Sequence, residues 1–275
     1  MSGTTRRVRI CSGTERYGTV CGCHDLFVEQ LNARYDEIGR SYGRTRRADP
    51  RIASQILDAV GDGSTLNVGA GSGNYEPSGR TVVALEPSRQ MICQRPAGAA
   101  PAVLGVAESL PFPDRSFDVA MAVLTIHHWP SAAVGLAEMA RVADRQVVLF
   151  FEQAVTHRFW ALGYFPESLA LPTEIEPPGE QFLRKHLRVE EVRSVLVPHD
   201  CIDGFGGAYW ARPEAYLDPD VQAGTSWLAM LSDEERRNGS ARLRADLRSG
   251  EWDRQYGHLR NDDSYDGGYR IAIAG

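Results

Sequence analysis

Three glycines at alternate positions, Gly69, Gly71 and Gly73, follow a short apolar run, Thr65-Leu66-Asn67-Val68. An apolar run that breaks into glycine reads as a buried parallel strand entering a tight turn. Glycine lets the backbone take positive φ and lets a ligand lie directly on main-chain atoms, those of Ala70 included. A second apolar run, Thr81 to Leu85, ends in Glu86-Pro87-Ser88, and Glu86 lies 17 residues after Gly69. At roughly 20 residues an acid at this strand end meets ribose hydroxyls. A carboxylate can accept both hydrogen bonds of a cis-diol; its other use would be to cap the helix starting near Ser88. A third run, Val119 to Leu124, ends in Thr125-Ile126-His127-His128-Trp129. Imidazole titrates near neutral pH and can take a proton from an incoming nucleophile. These pieces point to a nucleotide cofactor at the carboxyl ends of the strands of an α/β sheet.

What is missing narrows the cofactor. A dinucleotide fingerprint needs a third glycine at position 74 or 76, counted from Gly69 or Gly71, and the chain has Asn74 and Glu76. A carboxylate at 76 would repel a phosphate. No Gly-Lys-Ser/Thr follows, which excludes a P-loop. Pro77 and Gly79 leave room for barely one helical turn, so no strong phosphate-binding dipole is expected. The loop wants a nucleoside without phosphates. S-adenosylmethionine fits, with its adenosine, sulfonium cation and amino-acid tail.

Four segments carry a resemblance to a known family: Val68-Gly69-Ala70-Gly71-Ser72-Gly73, Ala84-Leu85-Glu86-Pro87-Ser88, Ala107 to Asp118, and Leu124-Thr125-Ile126-His127-His128-Trp129. In this order and spacing they resemble a class I S-adenosylmethionine-dependent methyltransferase of the large small-molecule family that includes the ubiquinone and menaquinone methylases. The resemblance covers roughly residues 40–151. It implies cofactor contacts from Tyr42 and Arg46 (a Tyr-x-x-x-Arg segment that meets the cofactor carboxylate), from the glycine loop, from Glu86 and Pro87, and from Leu124 and Thr125. It puts Ala107 and Glu108 at the adenine. Family members often carry Asp where this chain has Val106, so Glu108 or backbone groups must replace that acceptor. For Arg46 the other reading is a solvated basic turn. For His127 and His128 the expectation is that at most one faces the transferring methyl, the other stacking on adenine or capping the next helix.

Composition bounds the rest. The chain has 275 residues, 43% of them hydrophobic and 24% charged, which suits a globular protein with a full core. A formal net charge of −6 argues against a nucleic-acid partner. No apolar run approaches a membrane span, and Arg6, Arg7 and Arg9 precede no signal-type apolar stretch. The expectation is a cytoplasmic protein with reduced cysteines and a small-molecule acceptor, with no membrane and no nucleic-acid partner. Cys11, Cys21, Cys23 and His24 lack the spacing of a zinc site, so no metal is expected.

The elements that must position these residues follow from periodicity. Residues 1–23 read as a mobile segment. Residues 24–41 read as a helix, and Asp49-Pro50 starts another. Strands are expected at 65–68, 81–85, 102–106, 119–124, 145–151 and 189–197, and helices at 88–93, 131–142 and 179–187. An aromatic stretch at 156–171 reads as packing, though the resemblance puts this region near the acceptor. The last strand is expected at 268–274. The fold is then α/β: a Rossmann-like seven-stranded, mostly parallel sheet with helices on both faces, a reversed last strand and a helical insert before it. The division is a core of 24–197, an insert of 198–267 acting as an acceptor cap, and a returning strand within 268–275. Helical segments are expected near 213–217, 221–231 and 233–249. Phe205, Tyr209 and Trp210 offer flat apolar surface for an apolar or aromatic acceptor, or the insert could serve a homodimer. The leading function is methyl transfer to a small molecule, of secondary or cofactor metabolism. The alternatives are a catalytically silent S-adenosylmethionine-binding regulator, or an arsenic-type methylase using the N-terminal cysteines.

Overall fold

The structure, a computed structural model, describes residues 46–77 and 82–275. The segment 1–23, the helix expected at 24–41, Tyr42 and the three N-terminal cysteines lie outside the described residues.

Seven strands form one sheet: β1 (Thr65–Val68), β2 (Val82–Glu86), β3 (Ala102–Leu104), β4 (Phe117–Val123), β5 (Ala143–Phe151), β6 (Val189–Ser194) and β9 (Tyr269–Ala274). Their spatial order is β3-β2-β1-β4-β5-β9-β6. β1 runs parallel to both β2 and β4, so the strand order reverses beside it. That reversal opens a crevice at the carboxyl ends, where open α/β sheets bind ligands. β9 runs antiparallel between β5 and β6.

Alternation along the strands sets the two faces. In β4, Val119 and Met121 face one side with Ile52 and Ile56 of helix α1 (Pro50–Val60), while Ala120 and Ala122 face the other with Leu136 and Met139 of helix α3 (Ala132–Val142). Helix α2 (Arg89–Cys93) joins β2 to β3. Pro50 opens α1, where its missing N–H costs nothing, and the Asp49 carboxylate caps it by accepting the Arg51 N–H at 3.0 Å. Helix α4 (Glu180–His186) leads into β6, an edge strand on which Glu190, Glu191 and Arg193 are exposed, charges that guard a sheet edge.

The segment before β9 is anchored on the α1 face. A two-residue ribbon closes its base: β7 (Val197–Pro198) pairs antiparallel with β8 (Ser264–Tyr265). Its longest helix, α5 (Asp233–Ser249), starts at a capping box between Ser232 and Glu235 and ends at Gly250, whose φ of 78° needs no Cβ. Trp210, Tyr216, Trp227 and Trp252 of the insert join one continuous hydrophobic cluster with Trp160, Phe165 and the α1 side of the sheet.

Several boundaries differ from expectation. The sixth strand stops at Ser194 instead of 197, because Val197 and Pro198 leave the sheet to pair with β8. The third strand ends at Leu104, one residue before Gly105. The helix expected at 221–231 is two short turns, Pro219–Gly224 and Ser226–Ala229, broken where Thr225 takes extended backbone.

Candidate functional site

A cavity of about 640 Å³ opens at the carboxyl ends of β1, β2 and β4 and runs under the insert. That size suits a small-molecule site. Gly69, Ala70 and Gly71 line one end. Gly69 and Gly71 sit at φ 70° and 53°, where other residues are strained. A Cβ on Gly69 would lie 2.2 Å from Thr125 Oγ1, so the glycine is required by the close approach of the β4 exit. Gly73, at φ 94°, is not in the cavity wall; a Cβ there would meet Arg95 at 3.1 Å. The expected contact from Gly73 is thus corrected: it turns the chain behind the loop. Glu76 also faces away. Its carboxylate holds the Arg95 guanidinium at 2.7 Å and the Asn67 amide at 3.1 Å, so it is neutralised and exerts no repulsion on a ligand.

Glu86 ends β2 with 6% of its surface exposed. Its Oε2 accepts the Gly71 N–H at 2.8 Å and its Oε1 accepts the Ser88 N–H at 2.9 Å. These bonds fix the carboxylate and leave acceptor capacity on both oxygens. Burial pushes its pKa up, opposed by the two N–H groups and by Arg95. The helix-capping alternative belongs to the Ser88 side chain, which accepts the Met91 N–H at 3.2 Å. Pro87 and Met91 complete this end.

The donor set agrees with a nucleoside lacking phosphates. No helix begins within residues 69–77, and Arg46 is the single Arg or Lys among the described lining residues. Asn74 Nδ2 is buried in the wall with no hydrogen-bond partner among the described residues, a donor suited to a ligand carboxylate or hydroxyl. Ala107 and Glu108 line the cavity beside Val106, but Glu108 is already engaged: Oε1 accepts the Ser131 N–H at 2.9 Å at the start of α3.

β4 ends at Val123, and Leu124 then turns through φ 49°, an uncommon conformation for a leucine held by its N–H bond to Leu149 O at 2.8 Å. The chain continues as a single 3₁₀ turn, Ile126–His128. This tight turn brings both imidazoles into the cavity wall, with ring centroids 3.8 Å apart. Burial depresses both pKa values, that of His128 to about 4, and for His127 the neighbouring His128 adds to the effect. Both rings are therefore neutral near pH 7. His127 Nδ1 is buried with no hydrogen-bond partner among the described residues, and the ring packs edge-on to Phe151 at 4.9 Å.

Arg46 reaches the wall, but its guanidinium is shared. Nε donates to Asp203 Oδ1 at 2.6 Å, and Tyr75 donates its hydroxyl to Asp203 Oδ2 at 2.7 Å. Asp203 is fully buried. The solvated-turn alternative for Arg46 does not describe this arrangement.

Of the three residues expected to meet the acceptor, only Phe205 lines the cavity. Trp210 is fully buried in the core, stacked on Tyr265 at 5.3 Å with its Nε1 donating to Val197 O at 3.1 Å. Tyr209 packs edge-on to Tyr216, under the Arg212 guanidinium. The period of the turn decides this: Gly206 and Gly207 stay at the wall, and the next residues roll inward. The same wall is completed by Phe151, Phe159, Leu162, Trp227, Met230 and Tyr269, together with the carboxyl of Glu174. Glu174 and Asp203 had no signal in the sequence, since neither sits in a spacing that marks a site. Among the described residues no cluster of three or more His, Cys, Asp or Glu could hold a metal, and no helix is long and apolar enough to cross a membrane.

A family model for a methyltransferase domain matches residues 66–151. Among solved structures, the chain is 34% identical to the "Putative methyltransferase from antibiotic biosynthesis pathway" of Anabaena variabilis, with a TM-score of 0.76, covering 84% of this chain and 99% of that one. The [4+2]-cyclase SpnF shares the fold at 15% identity and a TM-score of 0.51, over 90% of this chain and 96% of that one. No curated protein matches the sequence.

Proposed function

Because this chain belongs to the class I S-adenosylmethionine-dependent methyltransferases, we propose that it is an active enzyme that methylates a small molecule with an apolar or aromatic body. The observation that carries this reading is the continuity of one cavity from the Glu86 carboxylate and the glycine loop to an aromatic wall shared by Phe151, Phe159 and Tyr269 with Phe205 and Trp227 of the insert. A protein that only bound the cofactor would have no use for that second compartment.

When bound, S-adenosylmethionine supplies a methyl group made electrophilic by its sulfonium. Glu86 holds the ribose hydroxyls, and the main chain at Gly69–Gly71 lies against the nucleoside. Asn74 and Arg46 serve the amino-acid tail, and Ala107, Glu108, Leu124 and Thr125 border the adenine and the methyl-bearing end. Methyl transfer is an in-line displacement, so much of the rate comes from holding the acceptor atom on the line of attack. Phe151, Phe159, Phe205 and Trp227 do this and exclude water. A neutral imidazole is a competent proton acceptor, and His127, whose buried Nδ1 has no partner among the described residues, is the group assigned to take a proton from a protonated nucleophile. The insert acts as the acceptor cap. An analogue of the Anabaena protein in its pathway would place the acceptor in secondary metabolism.

The test is release of S-adenosylhomocysteine from isotopically methyl-labelled S-adenosylmethionine with a chemically diverse acceptor library. Label appearing in an acceptor establishes the enzyme. Tight cofactor binding with no labelled product across the library would favour the silent binding protein.

A further inference from the structure

Beyond the cofactor loops the cavity wall carries aromatic and aliphatic side chains, the hydroxyls of Thr156, Thr173 and Ser226, and one carboxyl, that of Glu174. Glu174 lies in the short helical turn Pro172–Ile175 and borders the cavity together with Phe159, Trp227 and Tyr269. Its backbone is pinned: the N–H donates to Leu171 O at 2.9 Å, and the carbonyl accepts the Gln153 amide at 2.8 Å. Its carboxylate, by contrast, has no hydrogen-bond or ion-pair partner among the described residues; burial alone acts on it and pushes its pKa up to about 7.

The other charged groups of the cavity do not answer this carboxylate. Arg46 is paired with the buried Asp203. His127 and His128 are neutral near pH 7 because burial lowers their pKa values. Glu86 and Glu108 add two further carboxyls to the same cavity. An unpaired carboxyl in an apolar wall costs free energy in the empty protein. That cost is recovered when a ligand brings a positive charge into a site from which water is excluded.

We propose that Glu174 is a specificity-determining residue and that the acceptor molecule is an amine whose protonated basic nitrogen pairs with Glu174, is not itself the methylated atom, and is carried on a flat apolar body that fills the aromatic wall. The proposal rests on the methyl-transfer reading for the identity of the two cavity ends. It selects among acceptors by charge: a neutral phenol or enol of the same shape would leave Glu174 unpaired and bind less well.

The test uses calorimetry on the full chain saturated with S-adenosylhomocysteine, at pH 8. The probes are two isosteric pairs, tyramine with 4-propylphenol and tryptamine with 3-propylindole. At least one amine should bind tenfold or more tightly than its neutral partner, and Glu174→Gln should abolish that preference while leaving the neutral probe's affinity unchanged. Glu174→Gln keeps the side-chain shape and removes an unpaired charge, so the variant should fold at least as well as the parent, which its melting temperature checks. Equal or tighter binding of the neutral partners, an amine preference that survives in Glu174→Gln, or no probe bound at all would overturn the proposal. Failure of S-adenosylhomocysteine itself to bind would instead overturn the methyl-transfer reading, and this proposal with it.

Discussion

The Tyr75 hydroxyl donates to Asp203 Oδ2 at 2.7 Å across 128 residues of sequence, tying the turn after the glycine loop to the first residues of the insert. Asp203 Oδ1 simultaneously accepts Arg46 Nε at 2.6 Å. A few residues away the Asp49 carboxylate, which caps α1, also accepts the Ile202 N–H at 3.2 Å. The cofactor loop and the insert therefore meet through a buried polar network, and its integrity should govern both stability and the position of the cap.

Asp203→Asn should be strongly destabilising, by about 3–5 kcal/mol, because it removes the buried carboxylate that holds both the Arg46 guanidinium and the Tyr75 hydroxyl. Tyr75→Phe removes one bond to a charged group and should cost about 1.5–3 kcal/mol. Urea unfolding of both variants measures the difference. Equal, small effects would mean that the network is more hydrated than its burial indicates.

Glu86→Gln should weaken S-adenosylmethionine binding by about 1.5–3 kcal/mol, the range for a charge-assisted hydrogen bond, or roughly ten- to a hundredfold in Kd. Calorimetry on the folded variant reads this directly. Unchanged affinity would remove Glu86 from the ribose.

His127→Asn should lower kcat by roughly 10²-fold or more with cofactor affinity nearly unchanged, if the acceptor arrives protonated. Full turnover in the variant, with any acceptor found, would assign proton removal to another group or to solvent before binding.

His128 should make the protein acid-sensitive. Its folded-state pKa is about 4, against an ordinary value of 6.5 in the unfolded chain. Between those values the unfolded chain holds a proton that the folded ring refuses, so stability falls as pH drops from 6.5 towards 4. The full effect is on the order of 3 kcal/mol. Unfolding of parent and His128→Gln at pH 7.5, 6 and 4.5 isolates this contribution, since the carboxylates common to both cancel. Parallel losses in the two proteins would contradict it.

Phe205→Ala and Trp210→Ala should separate cleanly, although the two residues are close in sequence. Phe205 lines the cavity, so its loss should raise the acceptor KM and spare cofactor binding. Trp210 is fully buried, so its loss should cost about 3–5 kcal/mol of stability. Thermal melts and steady-state kinetics on the pair distinguish packing from recognition.

Much of this protein was legible in the sequence because its cofactor end is built from local signals. The glycines after β1, the acid ending β2 and the histidine pair after β4 each sit at the end of an apolar run. Strand ends converge in a parallel sheet whatever surrounds them. The period-two alternation of a strand likewise puts Val119 and Ala120 of β4 on opposite faces of the sheet. Tertiary structure decided what depends on partners distant in sequence. The sequence could not show that Glu76 spends its charge on Arg95, that Asp203 collects Arg46 and Tyr75, or that Glu174 faces the cavity with no partner among the described residues. It also could not separate Phe205 from Trp210, since an aromatic side chain gains as much by filling a core as by lining a pocket. A single 3₁₀ turn, not composition, brings both His127 and His128 to the wall. The physical reason is the same in each case: residue type and spacing fix where an element begins and ends, whereas the direction and charge balance of a side chain depend on what packs against it.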